Sequence, residues 1–227
     1  MTGPTFDAEV LRADLVRRFR TITRSVDISA RNVTLLSPAN ADDLISEDDY
    51  VADERLPYWA DLWPSAQILA DELAIMRLGG LRVLELGCGL GAVAIGATMG
   101  GAAVTATDYY ADAIEFARLN VFDATARVID IRMVDWSKLP PDLGKFDMVV
   151  ASDVLYEPRY STLVRDVLLR ALAKGGEAII ADPGRIAAPD FLDLCSEAGL
   201  SSEPDVRKWT DGEITQTITL HHLHWRT

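Results

Sequence analysis

At 227 residues and 49% hydrophobic content, the chain has material for one full core and too little for two large domains. Its formal net charge of -13, from 22 Lys and Arg against 35 Asp and Glu, argues against nucleic-acid partners, because phosphate-backbone binders need clustered Lys and Arg. Two distant cysteines, Cys88 and Cys195, indicate neither a disulfide framework nor a Cys-x-x-Cys zinc pair.

No apolar run approaches membrane-spanning length, and the opening "MTGPTFDAEVLRADLVRRFR" lacks the apolar stretch of a secretory signal. A cytoplasmic protein with no membrane partner is expected. Residues 6–22 carry Val10, Leu11, Leu15, Phe19 and Ile22 at near-helical spacing, which predicts an amphipathic helix. "RNVTLL" at 31–36 reads as a short strand. Segment 42–54, "DDLISEDDYVADE", holds acids and no base, and reads as a solvated loop or a steering surface for a basic partner. Pro64 then opens a helix running to about Met76, ended by Gly79-Gly80.

From Leu81 the pattern alternates. "LRVLEL", "AAVTATD", part of "ARVIDIRMVDW", part of "KFDMVVASDVLY" and "EAIIAD" read as five strands. "AVAIGATMG", "ADAIEFARLNVFDA", "YSTLVRDVLLRALAK" and "APDFLDLCSEAGL" read as helices, with Gly175-Gly176 expected to end the third of these. Such alternation predicts a doubly wound, mostly parallel α/β sheet. "DVRKWT" and "ITQTITLHHLHWR", joined around Asp211-Gly212, predict a terminal antiparallel hairpin. On that last strand His222 and His224 share one face and His221 takes the other, which suits pairing better than metal binding.

The stretch "LELGCGLGA" at 84–92 joins the first of these strands to a helix. Its glycines let backbone N–H groups approach a ligand closely. The spacing fits Gly-x-Gly-x-x-Ala, a dinucleotide fingerprint, and equally acid-x-Gly-x-Gly-x-Gly, the loop of nucleoside-binding methyltransferases. Asp108, 21 residues after Gly87 at the next strand's end, suits a ribose hydroxyl in either case. Glu85 favours the second reading, since its charge would repel a pyrophosphate. Trp136 falls where an adenine ring lies in such sheets, with Asp135 able to accept from the base's amino group.

"PYWADLWPSAQILA" before the glycine loop, "SDVLYE" after the fourth strand and "ADPGR" after the fifth occur in the order seen in seven-strand methyltransferases. Over roughly residues 33–225 the chain resembles the S-adenosylmethionine-dependent protein lysine methyltransferases, the family that includes the enzyme modifying the electron-transfer flavoprotein β subunit. The resemblance implies a Rossmann-like class I methyltransferase fold with seven strands and the terminal hairpin. It assigns residues 57–227 to that domain and 1–56 to an N-terminal extension. It implies S-adenosylmethionine as cofactor, held by Trp63, Glu85, Gly87, Cys88, Gly89, Asp108, Asp135, Trp136 and Ser152. The family's acid-x-x-aromatic signature falls on Asp153 and Tyr156, expected to aim and desolvate the acceptor amine. Asp182 and Arg185 are expected either to border the substrate channel or to form a structural turn.

The implied reaction methylates a lysine of a protein substrate, and the resemblance points to the electron-transfer flavoprotein β subunit as that substrate. Methylation of a small amine on the same scaffold and an NAD-binding oxidoreductase are the competing readings.

Overall fold

The computed structural model describes residues 6–44 and 56–226, so most of the acidic stretch 42–54 lies outside the described residues. Helix α1 (Ala8–Arg18) is capped by Asp7, whose Oδ1 accepts from the N–H groups of Glu9 and Val10 at 3.0 and 3.1 Å. The helix stops short of the expected residue 22. Thr21 to Ile28 instead form strand β1, paired antiparallel with β2 (Arg31–Pro38). Leu15 and Phe19 do turn inward with the helix period, but Ile22 belongs to a β-branched run that pairs along β2. Ser29 and Ala30 both have positive φ, 51° and 61°, as a two-residue hairpin turn demands. Neither is the Gly or Asn that advertises such a turn in sequence. Asp71 accepts from the Ser29 N–H at 2.8 Å and fastens the hairpin tip to the next helix.

That helix is α2 (Pro64–Ile75), with Pro64 at its first turn as expected. The remaining elements are β3 (Arg82–Leu86), α3 (Ala92–Met99), β4 (Ala103–Asp108), α4 (Ala111–Thr125), β5 (Asp130–Met133), β6 (Phe146–Ser152), α5 (Pro158–Ala171), β7 (Leu172–Asp182), α6 (Ala188–Glu197), β8 (Leu200–Asp211) and β9 (Ile214–Trp225). The seven-stranded sheet runs β5-β4-β3-β6-β7-β9-β8, parallel through β7 and antiparallel in the terminal hairpin.

Alternate residues of the central strands face opposite layers. Val83, Met148, Val150 and Ile179 join α2, α3, α4 and the β1–β2 hairpin on one face; Leu84, Leu86, Val149 and Ile180 join α5 and α6 on the other. Near-continuous apolar strands therefore reflect burial on both sides.

One boundary differs from expectation. β7 begins at Leu172 and runs through Gly175-Gly176, which were expected to separate helix from strand. A Cβ on Gly176 would lie 2.6 Å from the Asp147 carbonyl oxygen, so the glycine permits close approach where the β6–β7 register shifts. His222 and His224 both face Glu177 across β7–β9, at 2.6 and 3.6 Å. Among the described residues, no helix is long and apolar enough to cross a membrane.

Candidate active site

The strand order reverses between β3 and β6, the place where open α/β sheets hold ligands beyond the strands' carboxyl ends. A cleft of about 490 Å³ opens there. Its walls come from the loops after β3, β4, β5 and β6 and from the short 3₁₀ turn Tyr58–Ala60 leading into α2. Trp63, Gly87, Cys88, Gly89, Asp108, Asp135, Trp136, Ser152, Asp153 and Tyr156 all line it. Glu85 does not; it lies behind the loop, fully buried.

At the glycine-loop end the polar contacts are largely backbone ones. The N–H groups of Gly87 and Cys88 both donate to the Thr107 carbonyl, at 2.8 and 2.9 Å. Gly87 has φ +72°, and a Cβ there would lie 3.3 Å from Val154 Cγ1 and 3.7 Å from the Trp136 ring. Glycine thus leaves the loop both its turn and its closeness to the wall. Buried Asn120 of α4 donates to the carbonyls of Leu90 and Leu36, each at 3.0 Å, and so ties the loop to β2. Asp108 accepts from Gly89 N–H at 2.9 Å and Tyr110 N–H at 3.1 Å, bracing the loop against the start of α4. Each of its oxygens keeps another lone pair for a ligand hydroxyl.

Two buried acids here resist ionisation. Burial, with the Asp108 carboxylate nearby, pushes Glu85 up to about 8. Glu85 Oε2 has no hydrogen-bond partner. In this structure Glu85 is therefore mostly protonated at neutral pH, and the charge argument attached to it from sequence loses its force. Burial likewise raises Asp108, opposed by its backbone donors, and holds the Cys88 thiol well above its usual range.

Along the adjoining wall, Trp136 packs edge-on to Tyr160, ring centroids 5.8 Å apart, with Nε1 buried and unpaired. Asp135 Oδ1 already accepts from the Ser137 N–H at 2.9 Å and hydroxyl at 2.6 Å, closing a turn that lowers its pKa.

The opposite end is made of side chains. Asp153 follows β6 with φ +58°, a left-handed conformation uncommon outside glycine, and its N–H donates to the Ala181 carbonyl at 2.9 Å. Its buried carboxylate accepts from Arg185 Nε at 2.6 Å through Oδ1, while Oδ2 meets the Ser65 hydroxyl only at 3.5 Å. Around it stand aromatic rings. Tyr156 lies 5.2 Å from Tyr58 and 4.7 Å from Tyr160, centroid to centroid, and Tyr58 lies 6.1 Å from Trp63. The Trp63 indole N–H donates to the Tyr58 carbonyl at 2.9 Å. Burial, then the 3.1 Å hydrogen bond to Tyr160, pushes the Tyr156 phenol upward, so it stays neutral and is no general base.

Tyr58, Tyr160 and the Asp153–Arg185 pairing escaped the sequence reading. Tyr160 lies in the first turn of α5 and Tyr156 two residues before the helix begins, so their contact depends on where the chain enters the helix, which the sequence spacing alone does not give. The turn "DPGR" is real: Asp182 Oδ2 accepts from the N–H groups of Gly184 and Arg185 at 2.7 and 3.0 Å.

The glycine loop, Asp108 and the Asp153-x-x-Tyr156 stretch all lie within a single match to a known family. The lysine methyltransferase family profile matches residues 59–194. The chain belongs to that family. Among relatives of this family, the electron transfer flavoprotein beta subunit lysine methyltransferase of Xenopus laevis is 38% identical over 135 residues, covering 57% of this chain and 53% of that one. Protein N-lysine methyltransferase METTL21A of Xenopus tropicalis is 33% identical over 109 residues, covering 45% and 50%. The chain thus spans about half the length of the curated relatives it matches. The fold also matches magnesium protoporphyrin IX methyltransferase of Synechocystis PCC 6803, solved with bound S-adenosylmethionine. There the TM-score is 0.60 at 17% identity, covering 98% of this chain and 100% of that one.

Proposed function

We propose that this protein binds S-adenosylmethionine in the cleft and transfers its methyl group to a lysine side-chain amine of a protein. One observation carries the reading: the glycine-loop cleft ends at a buried carboxylate walled by aromatic rings, a place for an alkyl amine. Residues 57–227 would form the methyltransferase domain and 1–56 its extension.

The cleft residues fit the cofactor. The volume falls within the usual range for ligand pockets, Gly87 lacks the Cβ that would fill the space before Trp136, and the Asp108 carboxyl sits at the strand end. Gly87 to Gly89 would cradle the amino-acid portion, Asp108 would accept from the ribose, and Trp136 would cover the base. Asp135 would accept from the base's amino group, with Trp63 and Ser152 closing the wall. When bound, the group supplies an electrophilic methyl on a sulfonium.

The protein's task is to present a neutral, aligned amine. Keeping a lysine neutral at pH 7 costs roughly 4–5 kcal/mol from a reference pKa near 10.4. Tyr58, Tyr156 and Trp63 strip water from the entering amine, which favours loss of its proton to solvent. Asp153 accepts a hydrogen bond from the amine and aims the lone pair, and such alignment supplies much of the acceleration.

The electron-transfer flavoprotein β subunit is the specific acceptor we propose, on the strength of the relatives' names. Incubation with methyl-tritiated cofactor, a cell lysate and the purified β subunit tests each level. Label on protein lysine supports the reaction, and label on the β subunit supports the acceptor. Label confined to small amines would replace protein methylation with the metabolite reading, and saturable NAD binding without any response to S-adenosylhomocysteine would sink both.

A further inference from the structure

The amine end poses an electrostatic problem that the proposed reaction alone does not solve. A lone carboxylate beside a lysine stabilises the ammonium, the wrong protonation state for a nucleophile. In this structure Asp153 is not alone. The Arg185 guanidinium reaches it from the turn after β7, and its Cζ lies 5.6 Å from the centre of the Trp63 ring. Resting on the lysine-transfer reading above, we propose that Arg185 is a positioning residue that keeps the acceptor amine neutral: it occupies one oxygen of Asp153, cancels its charge and leaves the other oxygen to accept from the amine.

The geometry is specific. Arg185 Nε meets Oδ1, whereas Oδ2 has the Ser65 hydroxyl only at the outer limit of hydrogen bonding. The Asp153 side chain is 5% exposed and that of Arg185 35%, so the pair is shielded on the acid's side and open on the cation's. The Asp182 side-chain carboxylate accepts from the Gly184 and Arg185 N–H groups and fixes the turn that delivers the guanidinium.

A cation beside the entering amine disfavours a second positive charge, as a neighbouring cation does for nucleophilic lysines generally. The ammonium then gives its proton to bulk water, and the neutral amine donates to Oδ2 while its lone pair stays free. Other charged or titratable groups face the pair. Asp182 and Tyr58 lie against Arg185, Tyr156 stands on the far wall, and Asp61, Arg159, Asp108, Asp135 and Lys138 line the rest of the cleft. Among these, Arg185 is the cation hydrogen-bonded to Asp153.

The test is a pH–rate profile of label transfer to the protein acceptor found in the preceding experiment, for wild type, Arg185→Gln and Arg185→Lys. In Arg185→Gln the rising limb should move up by about one pH unit, so that activity at pH 7 falls about tenfold further than on the alkaline plateau. Arg185→Lys keeps the charge and should restore the limb, whatever its plateau. A second readout needs no turnover. Calorimetric titration of the acceptor into the S-adenosylhomocysteine-bound protein, in two buffers of different ionisation heat at pH 8, counts protons released. Wild type and Arg185→Lys should release more than Arg185→Gln. An active wild type with an unmoved limb and equal proton release in Arg185→Gln overturns this role for Arg185 alone. A wild type that labels no protein lysine overturns the proposed function, and this inference with it.

Discussion

At the glycine-loop end of the cleft, nearly every polar contact has a backbone N–H or carbonyl as one partner; at the Asp153 end, the contacts of the carboxylate run to side chains brought together from separate elements. Asp108 reaches Gly89 across a separation of 19 residues, inside one strand–helix–strand unit. Asp153 meets Arg185 across 32 residues and Ser65 across 88. The first end tolerates little change in backbone, because Gly87 and Asp108 set the loop's path. The second should tolerate little change in charge, because the proposed reaction asks one carboxylate to serve an amine while held by a cation. Binding and chemistry should therefore separate under mutation.

The largest expected effect tests the buried acids of the loop end. Burial and the Asp108 carboxylate push Glu85 up to about 8, against 4.5 for a free glutamate, so the native state holds a proton that the unfolded chain gives up. The sign follows: stability falls as pH rises from about 4.5 to 8, by on the order of 1 kcal/mol per unit over that window. Glu85→Gln cannot ionise and should escape the loss, so denaturant unfolding of the two proteins should diverge toward alkaline pH. Parallel stability curves would place an ionised carboxylate at Glu85 and weaken the contrast between the two ends.

Next comes Asp153→Asn, which keeps the shape and removes the charge and one acceptor. Loss of a contact worth about 3 kcal/mol in the transition state lowers turnover about a hundredfold. Affinity for S-adenosylhomocysteine should stay near wild type. Label transfer at the wild-type rate would reduce Asp153 to a structural partner of Arg185.

Asp108→Ala should do the reverse. It removes the brace on Gly89 and Tyr110 together with the proposed ribose acceptor, and should weaken calorimetric affinity by about 2 kcal/mol. Unchanged affinity would move the cofactor's ribose away from the end of β4. The smallest effect is expected of Trp136→Ala, about 1–2 kcal/mol in the same titration, because Tyr160 and Val154 still line that wall. A folded variant with full affinity would leave Trp136 as packing only.

Much of the loop end could be read from the sequence because its parts repeat at short, fixed spacing. Gly87, Gly89 and Asp108 belong to one strand–loop–helix–strand passage, where periodicity and glycine placement carry geometric meaning. Glu85 shows the limit of that reading. Its position was legible, but its raised pKa follows from burial and from the Asp108 carboxylate nearby, which the α3 backbone at Ala94 only partly opposes. Strand β2 was read from "RNVTLL", but its partner β1 and the turn between them were missed for a related reason. Ser29 and Ala30 adopt positive φ without glycine, so the turn exists only because its strands pair and Asp71 holds its tip.

Order along the chain was enough to determine the doubly wound sheet, the terminal hairpin and the strand ends that carry the candidate residues, because strand and helix periods are local properties. Family likeness added Asp153 and Tyr156 as candidates. Only the tertiary structure decided that Asp153 is buried against Arg185, that Tyr58 and Tyr160 complete the aromatic wall, and that Glu85 lies buried behind the loop with its pKa raised. Those facts depend on desolvation and on charges from separate strands and helices, and neither exists until the chain has packed.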